Sequence, residues 1–340
     1  MKHSTAGRDI RPAHRSLALL FLAASVAPAV SAQDTRVVKE PVVPPACASL
    51  PASLTSVGDT TIAASDESKL DSPRIQQAID QCGAGKSVRL VASGAKRAFL
   101  SGPLQLRQGV TLVIDSGVTL FASRDPRLFD ITPNACGILS TGPRGCDALV
   151  RAERAQSSGV MGPGTIDGRG WASTLGGPST WWEMAEQARD TKYSQNNPRL
   201  IFTSRTNDFT LYRLKLRNSP NFHVVLERGD GLTAWDVTIN TPRGARNTDG
   251  IDPSGSVNVS ILHSHIHTGD DNVAIKAGTN GGARNMTVAH SHFYNGHGVS
   301  IGSETDGGAS NILVRDVTFE GTDNALRISP TAAAVDWSMA

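Results

Sequence analysis

The chain repeats itself, and the period limits what it can fold into. From about residue 200, short apolar stretches begin at Phe209, Leu232, Val259, Met286 and Ile312, at intervals of 23, 27, 27 and 26 residues. Each is followed by a second alternating stretch, at Leu214, Val237, Ser264, Ser291 and Val317, and then by a turn of Gly, Asn or Asp. A fixed period holding several strands is the signature of a solenoid. The stretches are too short and too close for crossover helices. The chain must therefore coil and lay each strand on its equivalent one turn later, about 4.8 Å away. The expected fold is all-β, a right-handed parallel β-helix. Asn258, Asn285 and Asn311 each precede the first strand of a repeat and are expected to stack as a ladder of amides. That reading outweighs the Asn-X-Ser/Thr sequons that Asn258 and Asn285 also begin.

The earlier sequence is less regular. Residues 33–70 are rich in Pro, Ser and Thr and read as a loosely packed leader. Residues 71–82 fit a short amphipathic helix, with Ser72 as cap before Pro73 and with Ile75, Ala78 and Ile79 on one face. Strands are expected over 87–91, 109–114 and 117–121, and a second short helix over 181–189. At 39% hydrophobic, the 340 residues suffice for a full core, which argues against disorder.

The formal charge of +2 is a targeting feature. Lys2, Arg8, Arg11 and Arg15 give a basic start, residues 17–30 an apolar run, and Ala32 a small-residue cleavage point. Residues 1–32 therefore read as a secretory signal peptide. The run is short and interrupted by Pro28, against a membrane anchor. Without these four cations and Asp9, the remainder carries −1. No basic tract is left to bind nucleic acid. A secreted chain with no membrane or nucleic-acid partner is expected, acting as a monomer. Four cysteines fit the same compartment. Three pairings are open. Cys136–Cys146 closes a short Gly/Pro-rich loop and is the natural pair, which leaves Cys47–Cys82. A zinc site lacks the close cysteine spacing it needs.

Under the ruler of the repeat, successive turns place Asn247-Thr-Asp249-Gly, Gly269-Asp270-Asp271-Asn272, Gly296-His297-Gly298 and Arg327-Ile-Ser at similar points. One such Asp is ordinarily a turn former bonded to its own backbone. Three, with an imidazole and a guanidinium, describe a site. These motifs, in this order on a β-helix, resemble the polygalacturonases of glycoside hydrolase family 28, above all the bacterial secreted endopolygalacturonases. The resemblance runs from Arg36 to Ile328 and includes FLSGPL at 99–104, GPGTIDGRG at 162–170, NSPNFHVV at 218–225 and ARNTDGIDP at 245–253.

The resemblance implies hydrolysis of an acidic polysaccharide, pectate or polygalacturonate, by paired carboxylates with inversion, without cofactor or metal. It makes Asp270 the general acid, kept protonated by its crowded neighbours. Asp249 and Asp271 would hold and deprotonate the water, and His297 would tune the ionisation of Asp270 or orient a carboxylate. Arg327 would clamp a substrate carboxylate, and Asn247 would position the sugar or Asp249. Lys276 would add positive field, or else be a solvated surface lysine. His263, His265, His267, His290 and His292 suggest a metal site, but no acidic partner recurs with them, so a histidine-lined strand face is the expectation. The competing readings are a calcium-dependent pectate lyase and a non-catalytic sugar-binding β-helix.

The family pattern breaks after Ile328. A lysine is expected where Ser329 stands, and several further turns are expected beyond it. With suitable codons, one added base ahead of the Ser329 codon would turn SPTAAAVDWSM into a continuation beginning KSDRSRG, which fits the family. The sequence thus divides into a signal peptide (1–32), an incomplete β-helix (33–328) and an out-of-frame tail (329–340). The β-helix is expected to be truncated at its C-terminal end, its last turn uncovered and its activity low.

Overall fold

A computed structural model describes residues 1–3, 33–58 and 60–330. The expected signal peptide, beyond its first three residues, and positions 331–340 of the expected tail lie outside the described residues. Met1–Ser31 form one unit and Ala32–Ala340 a second, which holds every strand and helix among the described residues.

The described residues of this second unit coil as the right-handed parallel β-helix that the period requires. Each full turn carries three strands. The first sheet stacks eight: Leu104–Gln105, Val150–Glu153, Ile201–Ser204, Val224–Glu227, Ile251–Ser254, Val273–Ile275, Val299–Ser303 and Leu326–Pro330. The other two faces run from Ala46–Pro51 and Ala98–Ser101 onward. They fuse into one 15-stranded sheet because Ala283–Asn295 and Ala309–Glu320 bend round the corner without a break. The register is continuous across turns. Leu211 pairs with Ala234, Ala234 with Ile261, Ile261 with Val288, and Val288 with Val314. The first four point inward and are buried, each worth up to about 1.5–3 kcal/mol for the larger aliphatic side chains. Burial falls off at the last described turn, where Ile312, Val314 and Phe319 are half-buried and Leu326 is exposed.

The corners are sharp, and each turns on one residue in left-handed conformation. Arg213, Asp236, His263, His290 and Asp316 occupy one corner column with φ of 57°, 54°, 53°, 51° and 50°. Asn218, Asn247 and Asn295 turn the chain into the first sheet at φ of 53°, 54° and 51°, a conformation that Asn tolerates better than most residues. The asparagine ladder is shorter than expected. Asn311 donates to Asn285 (3.0 Å), but Asn258 donates to Asp230 (2.8 Å).

Helix α1 (Ser72–Gln81) packs Ile75 and Ile79 over the N-terminal end of the core. Its cap is Asp71 rather than Ser72; the Ser72 hydroxyl instead accepts the Gly102 N–H at 2.8 Å. Helix α2 (Trp181–Arg189) opens with a reciprocal capping pair, Thr180 and Glu183. Both expected disulfides are present, Cys47–Cys82 and Cys136–Cys146.

The residues after position 33 are not loosely packed. Asp34 is buried, accepts from Ser260 Oγ at 2.7 Å, and donates its N–H to Thr287 Oγ1 at 3.0 Å. Arg36 donates to the Leu232 carbonyl at 2.6 Å, Glu40 accepts from Tyr212 at 2.6 Å, and the Pro44 carbonyl accepts from Ser87 at 2.9 Å. This segment is a strap laid across successive turns of the second stack. Composition marks it as irregular, but tertiary hydrogen bonds hold it in place.

The histidines line an outer strand face, as expected. His263 and His290 stack with ring centres 5.2 Å apart, and His265 and His292 lie 6.1 Å apart. Acidic partners do meet them, Asp316 at 3.4 Å from His290 and Glu320 at 3.6 Å from His292. No three potential ligand atoms of this face converge within 4.8 Å among the described residues.

Candidate active site

Register brings the motif residues together. Ile251, Val273, Val299 and Leu326 pair in series along the first sheet. The residues two before the first three of them, Asp249, Asp271 and His297, therefore form one column at the entry to the sheet. Backbone bonds lock the offset: Gly250 N–H to the Asp271 carbonyl (2.9 Å) and His297 N–H to the Asp270 carbonyl (3.1 Å). The two glycines flanking His297 are required by space. A Cβ on Gly296 would run into the Asp270 carbonyl oxygen, and one on Gly298 into that of Asn324. Both also have positive φ, 64° and 76°.

The carboxylates differ in their surroundings. The Asp249 and Asp271 side chains are 5% and 6% exposed, against 21% for Asp270. Asp270 is the carboxylate that reaches the surface. Its Oδ1 accepts the Asp271 N–H (2.9 Å) and lies 3.2 Å from His297 Nδ1; its Oδ2 lies 3.4 Å from Asn247 Nδ2. Asn247 thus contacts Asp270 rather than Asp249, and is itself held by Gln195 Nε2 at 3.0 Å. Asp271 accepts from Ser300 Oγ (2.5 Å) and from Arg327 Nη2 (2.9 and 3.2 Å). His297 Nε2 faces Asp323 at 3.3 Å, and Arg243 holds Asp323 at 2.9 Å. Asp249 Oδ1 has no hydrogen-bond partner among the described residues. Asp270, Asp271 and His297 offer ligand-type atoms within 4.8 Å of one another.

Burial is the main electrostatic force here. It raises the proton affinity of Asp249 well above the ordinary carboxylate range, with Asp252 adding to the effect and Lys276 opposing it. Burial raises Asp252 too, against Lys276, and raises Asp271 against Ser300 and Arg327. Burial thus leads the shifts at the two enclosed motif aspartates and at Asp252, with neighbouring carboxylates adding to it. Lys276 is not a solvated surface residue. Its Nζ lies 2.8 Å from Asp252, 3.7 Å from Asp249 and 4.3 Å from the Phe222 ring centre. Burial works against its charge, but Asp252 and Asp249 outweigh that and raise its pKa.

Sequence reasoning missed four members. Asp252 sits beneath Lys276; its position three residues after Asp249, on the outward side of a strand, was a readable signal. Ser300 follows from the same alternation. Asp323 comes from a loop without a motif. His223 is fully buried, and both its N–H (2.8 Å) and its Nδ1 (2.9 Å) meet the Asp249 carbonyl, while Nε2 meets Thr241 Oγ1 at 2.7 Å. A carbonyl only accepts, so Nδ1 carries the proton and the Thr241 hydroxyl donates to Nε2. Burial pushes His223 down to about 4. Beside the column, a cleft of about 520 Å3 opens between the end of α2 and the first sheet, lined by Lys192, Tyr193, Gln195, Arg199, Phe222 and Asn247 among others.

Known proteins are similar to this chain in sequence and fold. Residues 82–337 match the model of glycosyl hydrolases family 28. The chain is 47% identical to an endo-polygalacturonase of Pectobacterium carotovorum subsp. carotovorum, over 89% of this chain and 72% of that protein. It is 41% identical to a polygalacturonase of Ralstonia solanacearum, over 94% and 70% respectively. Among solved structures, the polygalacturonase from Erwinia carotovora ssp. carotovora superimposes with a TM-score of 0.80 at 46% identity, covering 87% of this chain and 75% of that one.

Proposed function

The chain belongs to the glycosyl hydrolases of family 28, and from that premise we propose that it hydrolyses α-1,4-galacturonosidic bonds of polygalacturonate and pectin with inversion, as a secreted monomer. One observation carries the chemistry: a surface-reaching carboxylate, Asp270, stands beside two enclosed ones, Asp249 and Asp271. Inverting hydrolysis needs these two kinds of group.

In this reading Asp270 donates its proton to the glycosidic oxygen as the bond to the anomeric carbon breaks. Asp249 and Asp271 hold a water on the opposite face and take its proton as the new carbon–oxygen bond forms. The unpartnered Oδ1 of Asp249 is a seat for that water. Lys276 and Arg327 steady the two enclosed carboxylates, and His297 lies close enough to Asp270 and Asp271 to orient them. Asn247 orients Asp270 through its amide.

The test is incubation with polygalacturonate. The expected result is release of reducing ends without an ultraviolet-absorbing product, unaffected by EDTA, with proton NMR showing inverted anomers first. Unsaturated products that require calcium would instead make the chain a lyase. Binding without turnover would make it a sugar-binding module.

A further inference from the structure

The two nitrogens of His297 meet different surroundings. Nδ1 lies 3.2 Å from Asp270 Oδ1 and 3.4 Å from Asp271 Oδ1, yet it is buried without a hydrogen-bond partner among the described residues. Nε2 faces Asp323 Oδ2 at 3.3 Å. Asp323 is itself fixed twice. Its N–H donates to the carbonyl of Gly296, the residue before His297, at 2.8 Å, and its Oδ1 accepts from Arg243 Nη2 at 2.9 Å. Arg243 lies on the turn between Thr238–Asn240 and Ile251–Ser254, and Asp323 on the turn between Ala309–Glu320 and Leu326–Pro330. The pair therefore joins the first and last of the four motif turns, past the two that carry Asp270 and His297.

The Arg243 and Asp323 side chains are 64% and 48% exposed. An ion pair so open to water adds little stability, so its consequence lies with the ring it touches. A carboxylate only accepts, and Asp323 is therefore satisfied when Nε2 carries the proton. In the neutral ring this leaves Nδ1 bare, between the two motif carboxyls. The remaining cation nearby, Arg327, is turned to Asp271.

We propose that Asp323, braced by Arg243, is a positioning residue that acts through His297: it accepts the Nε2 proton, fixes that tautomer and keeps Nδ1 bare between Asp270 and Asp271. A carboxylate that holds an imidazole in one tautomer is a known way to ready the opposite nitrogen for proton transfer. The proposal rests on the polygalacturonase reading of the carboxylates. In that reading each turnover leaves Asp270 ionised and the proton of the water on the enclosed pair. A proton passing from Asp271 to Nδ1, and from Nδ1 to Asp270, resets the site with none gained or lost. Asp323 offsets the charge that the ring carries in between.

Two measurements on the full chain test it, for the wild type, D323N, D323E and R243Q, each checked for folding by circular dichroism. Nitrogen NMR of histidine-labelled protein at neutral pH reads the tautomer, the His297 signals being identified by their loss in H297Q. The wild type is expected to show the proton on Nε2 and a bare Nδ1, and D323N to lose that preference. On polygalacturonate, D323N is expected to lower kcat roughly 10- to 100-fold with KM little changed, because Asp323 acts through the ring. R243Q gives a smaller loss, and D323E, which returns a carboxylate, recovers part of the tautomer preference and of kcat. A wild-type tautomer in D323N, or a wild-type ring protonated on Nδ1, overturns the proposal, as does an unchanged kcat in D323N. Loss of the tautomer preference in D323N without any wild-type hydrolysis leaves the hold of Asp323 on His297 standing and overturns the polygalacturonase reading.

Discussion

Arg327 Nη2 lies 2.9 Å from Oδ1 and 3.2 Å from Oδ2 of Asp271, a contact made across two turns of the β-helix. The guanidinium expected to clamp a substrate carboxylate is engaged with a carboxylate of the protein. Arg327 Nε also donates to Ser300 Oγ (3.1 Å), which donates in turn to Asp271 (2.5 Å). Charge-assisted pairing of this kind is directional and sets where Asp271 points.

Asp270→Asn keeps the shape of the site and removes the transferable proton. General acid catalysis contributes roughly 10²–10⁴-fold, so reducing-end release should fall by that order while the melting temperature stays within a few degrees. A variant with near wild-type kcat would remove Asp270 from the acid role.

His223 fixes the Asp249 backbone without facing the substrate. His223→Ala should lower kcat more than KM changes, by roughly 10- to 100-fold, because small displacements of a reacting group are costly. His223→Asn retains a donor near Nδ1 and should recover part of the loss. Equal kcat for the Ala and Asn variants would show that the carbonyl contact does not matter.

The enclosed aspartates should cost stability at neutral pH. A carboxyl whose folded pKa is raised holds more protons folded than unfolded, so folding stability falls as pH climbs from about 4 through the folded pKa. The Asp249 shift, led by burial, has this sign. Asp249→Asn should therefore melt above the wild type at pH 7, and the gap should shrink as pH falls toward 4. Thermal melts across that range decide it; a gap that widens on acidification would reverse the assignment.

Lys276 compensates two buried carboxylates at once. Breaking a buried pair from one side costs about 3–5 kcal/mol, so Lys276→Met should lower the denaturation midpoint markedly at pH 7. The loss should be smaller at pH 4, where Asp249 and Asp252 take up protons. A loss independent of pH would point to packing against Phe222 instead.

The strap makes a simpler prediction. Asp34→Ala leaves the Arg36 guanidinium and Ser260 hydroxyl without their shared acceptor. Hydrogen bonds to a charged group are worth about 1.5–3 kcal/mol, and chemical denaturation should show a loss of that size with kcat unchanged. No change in midpoint would mean that the strap is dispensable.

The sequence by itself determined the architecture. Short apolar stretches spaced 23 to 27 residues apart leave the chain no way to bury them except by coiling, so the β-helix, the disulfide pairs and the motif turns were readable from residue order. Order also gave the column, because Asp249, Asp271 and His297 inherit the register of the strands that follow them. Only the tertiary structure decided the partners. Which aspartate is enclosed, that Lys276 is paired, that Arg327 turns to Asp271 and that residues 34–44 form a strap all depend on contacts from other turns. The physical reason is that a repeat period specifies position along the axis to within one strand spacing. Hydrogen bonds and ion pairs depend on side-chain direction and on loops, such as the one carrying Asp323, that lie outside the period.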